Sequence, residues 1–297
     1  MIASKTFLKC VAFLAALVSV STNAFAQSGQ VLESLKMNSK ILGREVKYTL
    51  YLPPDYNTSQ RRYPVLYLLH GYTGTDTDWI QFGEANRTAD KAIAEGDIPP
   101  MIIVMPDGRN DWYANDYQGK NRWEDMFIQE MIPFIDATYR TRAQKEFRAL
   151  AGLSMGGYGS LHLAAKNPDL FAAVAAFSPA VHTEQEFIEM SAERYNRAFA
   201  PVFGPAEGTA RISDHWRKYS VLDLMKTIPA EKLKSVRWYI DCGDDDFLYK
   251  GNDALHTTMR DQNIPHEYRV REGAHNWTYW RTYLIEGLKF VGQSFRR

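Results

Sequence analysis

Residues 147–165 constrain this chain more than any other stretch. Residues 147–151 (FRALA) read as a short buried strand, and residues 155–165 (MGGYGSLHLAA) read as the start of a helix. Between them stands Gly152-Leu153-Ser154-Met155-Gly156, a G-x-S-x-G pentapeptide. A serine at such a strand-to-helix turn sits on a sharp, strained bend. The bend lifts its hydroxyl above the sheet, where a base can reach it. Glycines suit the flanks because a side chain at either position would crowd the turn. Ser154 is therefore the candidate nucleophile. The same pentapeptide also arises by chance, as a glycine-rich turn in front of an ordinary helix. A catalytic reading requires a base, an acid and an oxyanion hole, in an order the fold permits.

The rest of the chain supplies a frame for that turn. Residues 31–37 and 44–52 read as an antiparallel strand pair, the second alternating Val46, Tyr48, Leu50 and Leu52 on one face. Pro53-Pro54-Asp55 ends it. Residues 64–69 (PVLYLL), 101–105 and 171–177 are continuous apolar runs, the mark of strands buried on both faces. Two further strands are expected over 236–241 and 266–270, and helices over 87–95, 124–139, 251–262 and 276–292, with Pro133 kinking the second. Strands alternating with helices, entered through a hairpin, define an α/β chain: a mostly parallel central sheet with helices on both faces. Residues 181–220 break the rhythm. They are too long for a plain crossover and carry Phe187, Tyr195, Phe199, Phe203, Trp216 and Tyr219. The segment reads equally as a lid-like insertion on the ligand side and as extra helices packed on the scaffold.

Residues 1–26 read as a secretory leader. Lys5 and Lys9 form its charged start, residues 11–20 (VAFLAALVSV) its apolar centre, and Ala24-Phe25-Ala26 a small-x-small cleavage site. The apolar centre is too short to span a bilayer. Export to the periplasm or medium is expected, with residues 27–297 forming one large domain. The chain has 35 basic and 35 acidic residues, and loss of Lys5 and Lys9 leaves the mature part slightly acidic. Without a basic run, nucleic acid and anionic membrane are not expected partners. Only Cys242 follows the leader, so no internal disulfide is expected and a substantial core must hold the domain. A glycan on the sequon Asn276-Trp277-Thr278 would crowd His275, which favours a bacterial source.

A serine hydroxyl needs a base to take its proton and a carboxylate to fix the tautomer of that base. In sheets of this class the order along the chain is serine, acid, histidine. The latter two belong in loops at the C-terminal ends of later strands. Of seven histidines, His70 precedes the serine, His162 and His256 fall in helices, His182 and His215 in the insertion, and His266 at a strand start. His275 alone follows a late strand in a loop. The preceding strand end offers Asp241, Asp244, Asp245 and Asp246, and chain order does not choose among them. These acids lack the spacing of a calcium loop, so no metal is expected.

An oxyanion hole needs two backbone N–H groups aimed at the developing charge. One belongs to Met155, which opens a helix and gains from its dipole. The other is expected from Tyr72, in the loop Leu69-His70-Gly71-Tyr72-Thr73-Gly74, with Gly71 allowing close approach and His70 bracing the loop. Trp79, Trp112, Tyr113, Tyr117 and Trp277 are candidates to stack on a sugar or an aromatic acyl group, with packing as the alternative role of each.

Taken together these residues resemble the esterase-D-like esterase family of the α/β-hydrolase superfamily. The likeness runs through Tyr51-Leu52-Pro53-Pro54-Asp55-Tyr56, Tyr67-Leu68-Leu69-His70-Gly71, Asp78-Trp79 and Gly152-Leu153-Ser154-Met155-Gly156-Gly157. It continues through Cys242-Gly243-Asp244-Asp245-Asp246 and Gly273-Ala274-His275-Asn276-Trp277. The hexapeptide is much more specific than bare G-x-S-x-G. The family holds feruloyl and acetylxylan esterases of carbohydrate esterase family 1, small-ester esterases, S-formylglutathione hydrolases and mycolyltransferases. The resemblance implies the α/β-hydrolase fold, Ser154 as nucleophile, His275 as base, Asp246 as acid, and Tyr72 and Met155 as oxyanion donors. It implies an exported serine carboxylesterase that needs no cofactor and cleaves feruloyl or acetyl esters of plant polysaccharide. The alternatives are a broad short-chain esterase, an acyltransferase of the mycolyltransferase type, and a carbohydrate-binding protein on a hydrolase scaffold.

Overall fold

Eight strands build one sheet in the computed structural model, which describes residues 28–296; the expected leader lies outside the described residues. The strands are β1 (Gln30–Ser39), β2 (Arg44–Leu52), β3 (Val65–Leu69), β4 (Ile102–Pro106), β5 (Arg148–Leu153), β6 (Ala173–Phe177), β7 (Arg237–Gly243) and β8 (His266–Arg271). Their spatial order is β1-β2-β4-β3-β5-β6-β7-β8. The β1–β2 hairpin and the β2–β4 pair are antiparallel, and every pair from β4 to β8 is parallel. This is the expected α/β-hydrolase arrangement, with the hairpin at one edge.

Side-chain alternation sorts the sheet between two cores. Along β3, Val65, Tyr67 and Leu69 join the core on one face, while Leu66 and Leu68 join the other. The continuous apolar runs follow from this, since β3 to β6 have no solvent face. The helices Ala85–Ala94 and Trp277–Phe295 cover one face. The helix Met155–Lys166 covers the other and is buried from Met155 to Ala165, because the sheet lies on one side of it and later helices on the other. Pro133 does not simply kink its helix. A π-helical turn, Phe127–Met131, precedes it, between α-helical segments Trp123–Met126 and Ile132–Thr138. Proline has no N–H to donate and its ring crowds the carbonyl four residues back, and a wider turn accommodates both.

Residues 181–220 fold into short helical pieces, among them Glu184–Glu189, Ala192–Ala198 and Asp214–Arg217. All six of their large aromatics are buried. Phe199 stacks on Trp112 of the scaffold at 4.4 Å between ring centroids. The buried Arg211 donates to the carbonyls of Phe187, Ile188 and Met190, which would otherwise be left open at the end of a short helix. The segment lies over the C-terminal ends of the strands and forms one wall of a cleft there.

Candidate active site

Ser154 stands between β5 and the helix Met155–Lys166, with φ 51° and ψ −116°. A non-glycine residue held there costs on the order of 1–3 kcal/mol, so its surroundings must impose it. They do so through the backbone: Ser154 N–H donates to Phe177 O at 2.9 Å, and Ser154 O accepts from Tyr158 and Ala180 N–H at 3.0 and 2.9 Å. The glycines are required by close approach. A β-carbon on Gly152 would lie 2.5 Å from the backbone of Gly156, and one on Gly156 would collide with the carbonyl oxygens of Leu69 and His70.

Ser154 Oγ lies 2.9 Å from His275 Nε2, and His275 Nδ1 lies 2.8 Å from Asp246 Oδ2. His275 follows β8, and its loop ends where Asn276 caps the long C-terminal helix by accepting from Tyr279 N–H at 3.1 Å. Trp280 presents to the imidazole at 4.8 Å and 89°, fixing the ring plane from one side. The Asp246 side chain is fully buried. Burial acts to raise its pKa, but the hydrogen bond to His275, the charge of that ring, the Leu248 amide and the Ser178 hydroxyl outweigh burial and hold the carboxyl below its ordinary value.

The structure separates the four aspartates that chain order left equal. Asp244 accepts from Gly273 N–H at 2.9 Å and so braces the His275 loop. Asp245 is exposed. Asp241 is buried, accepts from Tyr239 hydroxyl at 3.1 Å, sits 3.8 Å from Arg271 and leaves Oδ1 without a partner. Burial pushes its pKa up to about 7. An aspartate whose folded pKa exceeds its unfolded one stabilises the fold while protonated. That contribution is whole below the unfolded value and is lost as pH rises toward 7. Asp241→Asn keeps an acceptor for Tyr239 and removes the penalty. The melting temperature of the variant relative to wild type is expected to climb between pH 5 and pH 8, by differential scanning fluorimetry; a constant difference would refute the assignment.

The N–H groups of Met155 and Tyr72 have no acceptor among the described residues, and both residues lie at the serine. Gly71 allows this, since a β-carbon there would lie 2.6 Å from Leu153 Cδ1. His70 holds the loop from beneath. Gly108 N–H donates to Nε2 at 2.8 Å, which leaves the proton on Nδ1 to donate to Gly71 O at 2.8 Å. Asp107, at 3.6 Å from Nε2, is too far to compete.

The cleft around Ser154 has a volume of about 320 Å³. Of the aromatic candidates, Trp112 and Trp277 line it. Trp79 does not: it is buried beneath Trp277, with Nε1 donating to Leu69 O at 2.9 Å. Tyr117 does not either: it is exposed away from the cleft, packs near Gly204 and accepts from Gln118. Tyr113 is fully buried, and its hydroxyl donates to His70 O. Sequence reasoning missed Phe247, Phe199, Arg194 and Arg197, which all line the cleft. Phe247 carried a signal, being an apolar residue directly after a run of acids in a loop. It is 58% exposed, with its ring 4.6 Å from that of His275.

A mostly parallel sheet bearing a serine on a positive-φ turn, faced by a histidine from the last loop, defines an α/β-hydrolase with a serine-centred cleft. The chain belongs to the esterase family described as "Putative esterase", whose model matches residues 39–291. It is 32% identical over 262 residues to an esterase of Mycobacterium tuberculosis, covering 81% of this chain and 54% of that one. It thus spans about half the length of that relative. It is 35% identical over 164 residues to an endo-1,4-beta-xylanase/feruloyl esterase of Xylanibacter ruminicola, covering 53% of this chain and 23% of that one. A solved ferulic acid esterase matches with a TM-score of 0.77 at 31% identity, covering 90% of this chain and 99% of that one.

Proposed function

We propose that this chain is an exported serine carboxylesterase. The observation that carries the reading is the unbroken hydrogen-bonded path from Ser154 through His275 to Asp246, at 2.9 and 2.8 Å. In this reading Ser154 Oγ attacks the ester carbonyl carbon while His275 Nε2 takes its proton. The oxyanion is held by the Tyr72 and Met155 N–H groups, which are otherwise unused. His275 passes the proton to the departing alcohol, and an acyl-Ser154 ester remains. Water, deprotonated by the same nitrogen, releases the acid. Asp246 keeps the imidazole proton on Nδ1 and balances the imidazolium. Residues 181–220 serve as the roof of the cleft within a single esterase domain.

The finer reading is a feruloyl or acetyl ester of plant polysaccharide as substrate. It is supported by the names of the relatives and by a cleft walled with Trp112, Phe199, Phe247 and Trp277, which offers aromatic faces to a phenolic acid or a sugar. The mature protein is expected to hydrolyse methyl ferulate at least about tenfold more efficiently than methyl butyrate, a difference one well-packed aromatic contact supplies. Rates on acetylated xylan place the acetyl alternative beside it. Equal rates on all three would leave a broad short-chain esterase. Transfer of the acyl group to an added sugar in preference to water would make it an acyltransferase. A fluorophosphonate probe is expected to label Ser154, and absence of labelling would favour a binding protein.

A further inference from the structure

Resting on the serine-esterase reading, we propose that Arg194 and Arg197 form an anion-recognising rim, so that the preferred ester carries a carboxylate, phosphate or sulfate on one of its two arms. Both residues come from the short helix Ala192–Ala198 and line the same cleft as Ser154 and His275. That helix is anchored directly to the catalytic scaffold. Its final carbonyls, Arg197 O and Ala198 O, accept from the Tyr72 hydroxyl at 3.3 Å and from Trp112 Nε1 at 2.7 Å. The helix backbone that bears the two arginines is thereby tied to the loop of the Tyr72 amide.

Their donors are largely unspent. Among the described residues Arg194 forms no ion pair; its guanidinium lies 3.5 Å from His182 Nε2 and 5.9 Å from the Phe247 ring centroid. His182 Nδ1 donates to Ala180 O at 3.1 Å, which leaves Nε2 as an acceptor and the ring uncharged beside Arg194. Among the described residues the Arg197 guanidinium pairs only with Glu193, at 3.4 Å and with both side chains mostly exposed, a contact worth little in water.

Apart from Glu193, the neighbouring acids hydrogen-bond to neutral groups and none forms an ion pair with either guanidinium among the described residues. Glu186 closes the capping box of the helix Glu184–Glu189 with Thr183, and Glu189 accepts from Gln185. Asp78, across the cleft, accepts from the Thr75 hydroxyl at 2.8 Å. Asp246 is sealed behind His275. One side of the cleft therefore carries two cations without a buried counter-charge. Guanidinium forks match the geometry of carboxylate and phosphate oxygens.

The test compares two pairs of esters on the full mature chain at low salt. Phenyl acetate against 3-acetoxybenzoate places the charge on the alcohol arm. p-Nitrophenyl butyrate against p-nitrophenyl hemisuccinate places it on the acyl arm. In at least one pair the anionic ester is expected to have a kcat/KM about tenfold above its neutral partner, and the pair that responds identifies the arm. In the Arg194→Ala/Arg197→Ala double variant that ratio is expected to fall to about one or below, while Arg194→Lys/Arg197→Lys keeps part of it. Raising salt from 0.1 M to 1 M, which cuts the screening length from about 10 Å to about 3 Å, is expected to erode the wild-type preference. No anionic preference in either pair, or a preference that survives the double alanine variant, would overturn the inference. Turnover by wild type keeps the questions apart. Absence of turnover on all four esters overturns the esterase reading and this inference with it, whereas turnover without anionic preference overturns this inference alone.

Discussion

Replacing Ser154 with alanine lowers turnover of p-nitrophenyl acetate by about six orders of magnitude, the loss seen when the nucleophile of such a triad is removed. Among the described residues no other hydroxyl is hydrogen-bonded to His275 Nε2. The imidazole reaches Ser154 Oγ at 2.9 Å, and the Ser178 hydroxyl instead accepts from Trp280 Nε1 at 3.2 Å. What remains after the change is the polarising effect of the Tyr72 and Met155 amides on a bound carbonyl. The fold is expected to survive, because the Ser154 side chain caps no helix and the strained turn is held by backbone bonds to Phe177, Tyr158 and Ala180. A melting temperature at or slightly above that of wild type, together with lost turnover, separates a chemical effect from unfolding. Activity within tenfold of wild type in a purified, folded variant would remove Ser154 from the mechanism.

Parts of this site were legible in the sequence because backbone geometry leaves few choices. Gly152 and Gly156 face each other across a turn with no room for β-carbons, so the motif announces the approach of β5, the β3 loop and the helix to one another. Residues 64–69 and 101–105 read as doubly buried strands because no face of β3 or β4 meets water. His275 was identifiable from its place after the last strand. Other parts depend on where a side chain turns, which no local pattern records. Asp246 differs from Asp245 only in that the turn after Gly243, closed by Asp246 N–H donating to Gly243 O at 3.2 Å, aims one carboxylate inward and leaves the other in water. Trp79 and Trp277 are similar as sequence features, yet Leu69 O draws the first indole beneath the second. Arg194 and Arg197 belong to a seven-residue helix whose position over the cleft is set by Trp112 and Tyr72, far away in the chain.

The same separation of aspartates yields the second large effect. Asp246→Asn lowers kcat by about four orders of magnitude, while Asp245→Asn, altering an exposed side chain one residue away, leaves it within about twofold. The argument rests on the tautomer. Asp246 Oδ2 accepts from His275 Nδ1, which leaves Nε2 free to take the serine proton. An asparagine amide can turn its NH₂ toward Nδ1, moving the imidazole proton to Nε2 and blocking the base, and it supplies no charge to balance an imidazolium. The acid limb of stability gives an independent readout. An aspartate whose folded pKa lies below its unfolded value stabilises the fold above the unfolded value, near 4, and the contribution is lost as pH falls through the folded one. Asp246→Asn therefore loses less stability than wild type on acidification below about pH 4. If Asp245→Asn rather than Asp246→Asn abolished turnover, the acid would have to be reassigned. Equal mild losses from both would show that His275 works without a dedicated carboxylate, since the 2.8 Å contact would then be packing rather than chemistry.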